Sequence, residues 1–123
     1  MKRTLLTLAR SPLGSLIVGI AFARCSKLLP VNRVYETDKV LAFKHPQPHW
    51  EEHILIVPKK AIKSLHTANE VDQPYIAEIF HVAQQILKDN DWIDRPYQLI
   101  INGGTRQEVP QSTLVLVEPP SFS

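Results

Sequence analysis

The chain has one cysteine, Cys25, so no disulfide can form within it. No activating arrangement is readable around that thiol, and it reads as a small buried hydrophobe rather than a nucleophile. Long hydrophobic runs are missing too. The uncharged apolar stretch from Pro12 to Ala23 is bracketed by Arg10 and Arg24. A bilayer span needs about 20 apolar residues, so this stretch argues against a transmembrane helix. There is no internal repeat and no low-complexity tract, and the ten prolines sit at segment edges. Acids are absent from residues 1–34, which carry Lys2, Arg3, Arg10, Arg24, Lys27 and Arg33.

That last absence hides inside an unremarkable net charge. The chain carries +2, so residues 35–123 hold −4 against the +6 of residues 1–34. The positive charge is spread along a hydrophobic segment, with no Lys/Arg-rich face and no interleaved aromatics. That excludes a nucleic-acid-binding composition. It fits an anionic membrane surface or an acidic partner. A chain of 123 residues with 44% hydrophobic and 21% charged residues builds one globular domain with one core.

Residues 1–30 read as a basic, apolar N-terminal helix or extension. Ser11 caps it and Pro12 sits in its first turn. Ser11, Ser15, Gly19 and Ala23 form a stripe of small residues, and Leu13, Leu16, Ile17 and Ile20 form a bulky face. Three readings compete. In the first, the segment docks on a membrane surface or membrane protein complex through Arg10, Leu13, Leu16, Ile17, Ile20 and Arg24. In the second it is a secretory signal with Ala21-Phe22-Ala23 as the cleavage site, which the breaks at Gly14 and Gly19 disfavour. In the third it packs on its own domain. The first is favoured, and it places the protein peripherally on the cytoplasmic side of a membrane.

Residues 31–118 read as the folded body, and residues 119–123 as a short C-terminal tail behind Pro119-Pro120. Val34 to Phe43 is strand, turn, strand, with turn chemistry at Thr37-Asp38-Lys39. Two prolines make residues 44–52 a loop. His53 to Pro58 is a continuous apolar run, hence a central strand. Lys59 to Leu65 suits a short helix, with Lys59-Lys60 as its solvated start. Asp72 caps a longer helix with Pro74 in its first turn, and Ile76, Ile79, Phe80, Ala83, Ile86 and Leu87 form its apolar face. Asp89-Asn90-Asp91 ends it. Tyr97 to Asn102 is a strand, Gly103-Gly104 a turn, and Val109 to Val117 the last strand. The order β-β-β-α-β-β specifies an α+β domain with an antiparallel sheet, one long and one short helix.

Over residues 33–117 these segments resemble the histidine triad (HIT) family. Val34-Tyr35-Glu36 with Val40-Leu41-Ala42-Phe43 is similar to the family's opening hairpin. His53-Ile54-Leu55-Ile56-Val57-Pro58-Lys59 resembles its His-led apolar strand. Asn102 and Gln107-x-Val109 resemble the lead-in to its His-x-His-x-His strand. The resemblance implies attack of the middle histidine on the α-phosphate of a nucleotide conjugate, with general acid–base help from its neighbours. Here the three positions hold Gln111, Thr113 and Val115. A threonine hydroxyl without an adjacent base is a poor nucleophile, valine has nothing to donate or accept, and glutamine does not titrate near neutrality.

The expectation is therefore a catalytically inactive HIT-like module with no cofactor and no metal. The alternative is a residual purine-nucleotide-binding protein or hydrolase, with nucleotide bound weakly by His53, Asn102, Gln107, Gln111 and Thr113. Where the family places a carboxylate for the ribose hydroxyls, this chain has His45. The spacing of His45, His49 and His53 straddles a Pro-rich loop and a strand, which does not suit zinc. The resemblance further implies a homodimer through the long helix, with Ile76, Phe80 and Leu87 as the candidate face. A hetero-complex that buries the leader is the other assembly considered.

Overall fold

The computed structural model describes residues 31–46 and 52–104, the strand backbone of residues 114–118, and the two positions Ile17 and Ile20. Strands β1 (Arg33–Glu36) and β2 (Val40–Lys44) form the opening hairpin. Its turn is built by Thr37. The Thr37 hydroxyl accepts from the backbone N–H groups of Lys39 (3.2 Å) and Val40 (3.1 Å), and its own N–H donates to the Val40 carbonyl at 2.8 Å. A hydroxyl that satisfies two turn amides is the expected chemistry of an ST-type turn. Strand β3 (Glu52–Pro58) pairs antiparallel with β2, with Val40 opposite Pro58 and Lys44 opposite Ile54. Strands β4 (Gln98–Ile101) and β5 (Leu114–Glu118) complete the sheet. The strand order is β1-β2-β3-β5-β4, and every pair is antiparallel.

Helix α1 (Gln73–Asp89) lies on one face and buries Ile79, Val82, Ala83 and Ile86. It packs on Val40, Ala42, Ile54 and Ile56, and Trp92 closes the end of this core. The alternate residues of β2 and β3, namely Leu41, Phe43, Leu55 and Val57, point to the opposite face. There they pack with Ile17 and Ile20, which are 4% and 1% exposed and have helical backbone. Ile17 and Ile20 are thus buried against the chain's own sheet. The other leader residues offered for membrane contact, Arg10, Leu13, Leu16 and Arg24, lie outside the described residues. Among the described residues no helix is long and apolar enough to cross a membrane.

Three local readings of the sequence need correction. Lys59 to Leu65 is not helical. The Lys59 N–H is tied to the Lys39 carbonyl at 2.7 Å, and Ser64 and Thr67 exchange side-chain and backbone hydrogen bonds that close a turn. Such local Ser/Thr bonding competes directly with the helical ladder. The short helical element is instead a 3₁₀ turn at Glu70–Asp72. Second, Asp72 stands at the helix N-cap but its carboxylate does not cap α1. It accepts from the Asn69 N–H at 3.0 Å, while Asn69 accepts from the Val71 N–H at 3.1 Å. This reciprocal capping box serves the preceding turn.

Third, Lys59 is buried rather than solvated. Its ammonium donates to Glu36 Oε2 and to the Thr37 carbonyl, both at 2.7 Å, and so ties the end of β3 to the β1–β2 turn. Lys60 pairs with Asp72, which is itself buried.

The Lys60 ammonium, with help from the Asn69 N–H, holds the Asp72 carboxyl below its ordinary value of 3.8. A depressed folded-state pKa stabilises the fold above the unfolded value, and that stability is lost as pH falls through the folded one. Asp72→Asn is expected to cost about 1 kcal/mol at neutral pH. The gap between variant and parent should close as pH drops below 3.8. Urea unfolding at both pH values checks it, and a gap that stays constant would show that charge at this position contributes nothing.

Candidate functional site

The β2–β3 register continues past the paired strands. His45 donates its backbone N–H to the His53 carbonyl at 2.9 Å, which sets the two residues opposite one another at the end of the hairpin. Their rings stack, with centroids 4.3 Å apart and planes inclined by 23°. Directly opposed residues of an antiparallel pair share a face, and this face is the one that carries Phe43, Leu55 and Val57. Both imidazoles are half-buried.

Among the described residues no group of three or more His, Cys, Asp or Glu side chains is placed to hold a metal.

Val115, the expected third triad position, lies on β5. Val115 pairs with Leu55 on one side and Ile100 on the other, so its row runs Phe43, Leu55, Val115, Ile100. The next row toward the hairpin end runs His45, His53, Val117, Gln98. His53 and the Val115 position are therefore neighbours on one face. Asn102 is elsewhere. It is exposed just beyond β4, four residues from Gln98, which is roughly 13 Å along the strand. The structure thus brings His53 together with His45 and not with Asn102. Gln107, Gln111 and Thr113 lie outside the described residues.

The His45–His53 stack was not singled out from sequence, although a signal for it exists. Every opposed pair in the β2–β3 ladder has the same sum of residue numbers, from Val40 with Pro58 to Lys44 with Ile54. Extending that rule by one step pairs His45 with His53. Glu36 was likewise seen only as a strand residue, and its role as the carboxylate partner of a buried lysine needed the fold.

A second surface lies where α1 overhangs the end of β3. Pro58, Ile62, Leu65, Ala68, Ile76, Ile79, Phe80 and Ile101 line an apolar groove there. Phe80 is 49% exposed and Leu65 58%. Ile76 and Leu87, the other members of the expected dimer face, are half-buried.

A five-stranded antiparallel sheet backed by one long helix, with a His-led apolar strand beside the last strand, defines the class. Comparison with known proteins agrees. The family described as "Scavenger mRNA decapping enzyme C-term binding" matches residues 21–107. A HIT-like protein of Synechocystis is 33% identical over 88 residues, 72% of this chain and 75% of that protein. A HIT-like protein of Buchnera aphidicola is 32% identical over 74 residues, and the match spans 65% of its length. The crystal structure of a HIT family hydrolase from Legionella pneumophila superposes with a TM-score of 0.70 at 28% identity, covering 77% of this chain and 87% of that one. This chain belongs to the histidine triad family.

Proposed function

We propose that this protein is a HIT-family domain that no longer performs nucleotidyl chemistry and works as a binding or scaffold module at a membrane surface or membrane protein complex. The observation that carries the reading is the content of the triad positions. Gln111, Thr113 and Val115 supply no imidazole where attack on phosphorus and proton transfer require one. The attachment half is supported by the leader, which holds +6 and no acid around an apolar stretch. Attachment is peripheral and on the cytoplasmic side. The assembly is a homodimer across the groove beside Phe80, or a hetero-complex that takes up the leader.

The second reading is a residual purine-nucleotide-binding protein. It is supported by kinship with a HIT family hydrolase and by the stacked His45–His53 pair at the end of the hairpin. Isothermal calorimetry with AMP, GMP and ADP separates the two. We expect no heat of binding at millimolar nucleotide. Affinity tighter than millimolar, lost on His53→Ala, would reverse the ranking.

A further inference from the structure

The chain has four asparagines, Asn32, Asn69, Asn90 and Asn102, and the fold treats the last of them differently. Asn32 is tied to β2, its carbonyl accepting from the Lys44 N–H at 3.0 Å. Asn69 Oδ1 accepts from the Val71 N–H, and Asn90 Nδ2 donates to the Ile86 carbonyl at 2.8 Å. These three are followed by Arg33, Glu70 and Asp91, each with a Cβ that crowds its own backbone nitrogen. Asn102 is exposed beyond the end of β4, and glycine follows it.

Gly103 is needed neither for conformation nor for clearance. A Cβ built on it meets nothing within 4 Å. The left-handed turn is taken by Gly104, at φ 57°. The same open space lets the Asn102 side chain reach the Gly103 nitrogen. We propose that Asn102-Gly103 is a self-modification site, at which Asn102 converts to aspartate and isoaspartate without an enzyme.

The reaction consumes only water. Hydroxide removes the Gly103 amide proton, and the nitrogen attacks Asn102 Cγ. The N–Cγ bond forms and the Cγ–Nδ2 bond breaks. Ammonia leaves with a proton from water, which regenerates hydroxide. The five-membered succinimide then takes up water. Opening at Cγ leaves aspartate. Opening at the main-chain carbonyl leaves isoaspartate, whose chain continues through Cβ and Cγ. Asparagine is a thermolabile residue in any setting; exposure and a following residue without Cβ remove the usual hindrance to ring closure. The product places a carboxylate at the end of β4, whose residues Gln98–Ile101 are uncharged. Isoaspartate also lengthens the main chain where β4 gives way to the Gly104 turn.

The full-length protein is kept at neutral and at mildly alkaline pH, and peptide mapping by mass spectrometry follows all four asparagines. A synthetic peptide of residues 98–104 supplies the unfolded rate. We expect Asn102 to be lost within about tenfold of the peptide rate, as for a site of low local stability. Loss should be faster at the higher pH, both products should form, and the other three asparagines should persist. Gly103→Ala should slow the loss by about tenfold, which is about 1.4 kcal/mol of barrier. Its urea unfolding should match the parent, because the added methyl meets nothing.

A folded chain that keeps Asn102 while the peptide is consumed would overturn the proposal. Equal loss at Asn32, Asn69 or Asn90 would remove the selectivity it claims. Aspartate without isoaspartate, or a Gly103→Ala chain that reacts at the parent rate, would rule out attack by the Gly103 nitrogen.

Discussion

Replacing Trp92 with alanine is expected to cost about 3–5 kcal/mol of stability, enough to unfold much of the population of a domain this size. The indole is 2% exposed and packs with Ile86 and the other residues under α1. Its backbone N–H returns to the Leu87 carbonyl at 2.8 Å, and its Nε1–H donates to the Pro96 carbonyl at 3.2 Å. Arg95 stands over the ring at 5.7 Å. One side chain therefore closes the helix end, satisfies the loop into β4 and fills the core. Trp92→Phe keeps most of the apolar area but leaves the Pro96 carbonyl without its donor, and should cost about 1–2 kcal/mol. Equilibrium urea unfolding of both variants measures the difference. An alanine variant within about 1 kcal/mol of the parent would mean that the loop collapses around the gap.

The second large effect is expected in turnover. With a nucleoside phosphoramidate, the purified chain should react at least about 10⁴-fold more slowly than a HIT protein with three histidines, since removing a nucleophile in other enzymes costs that much or more. That factor corresponds to about 5.5 kcal/mol of lost transition-state stabilisation. Single-turnover measurement with product analysis is the check. Ordinary enzymatic speed, abolished by Thr113→Ala, would overturn the inactive assignment. The paired change Thr113→His and Val115→His asks a different question. A rate that depends on Thr113→His would show that the fold accepts the substrate.

The strands of this fold were readable because burial on both faces leaves little freedom in β2 and β3. Val40 to Phe43 and Ile54 to Val57 are apolar without interruption, and all are buried. Loop prolines and the Thr37 turn punctuate them. The helix was readable too, with Ile79, Ala83 and Ile86 of its expected face buried, but the edges of that face were not. The sequence stripe through Ile76 and Phe80 fits a 3.6-residue period, yet α1 is rotated so that Val82 enters the core and Phe80 remains half outside. Periodicity fixes the width of an apolar stripe and not which edge overhangs.

The 59–65 segment was misread for a related reason. Its composition permits a helix, and the tie from the Lys59 N–H to Lys39 depends on a strand 20 residues earlier. Of the site, His53 was visible in the sequence, as was the expectation that Gln111, Thr113 and Val115 hold the triad positions. The stack of His45 on His53 required the hairpin register, and the burial of Ile17 and Ile20 required the sheet.

The double-sided burial of β2 and β3 bears on how such a chain can drift over generations. A polar residue at any of positions 40–43 or 54–57 finds no water on either side, so that hairpin stays apolar whatever the protein does for its host. His45 and His53 are half-buried and stand just outside those positions. Inheritance therefore guards the apolar hairpin independently of which residues the last strand carries.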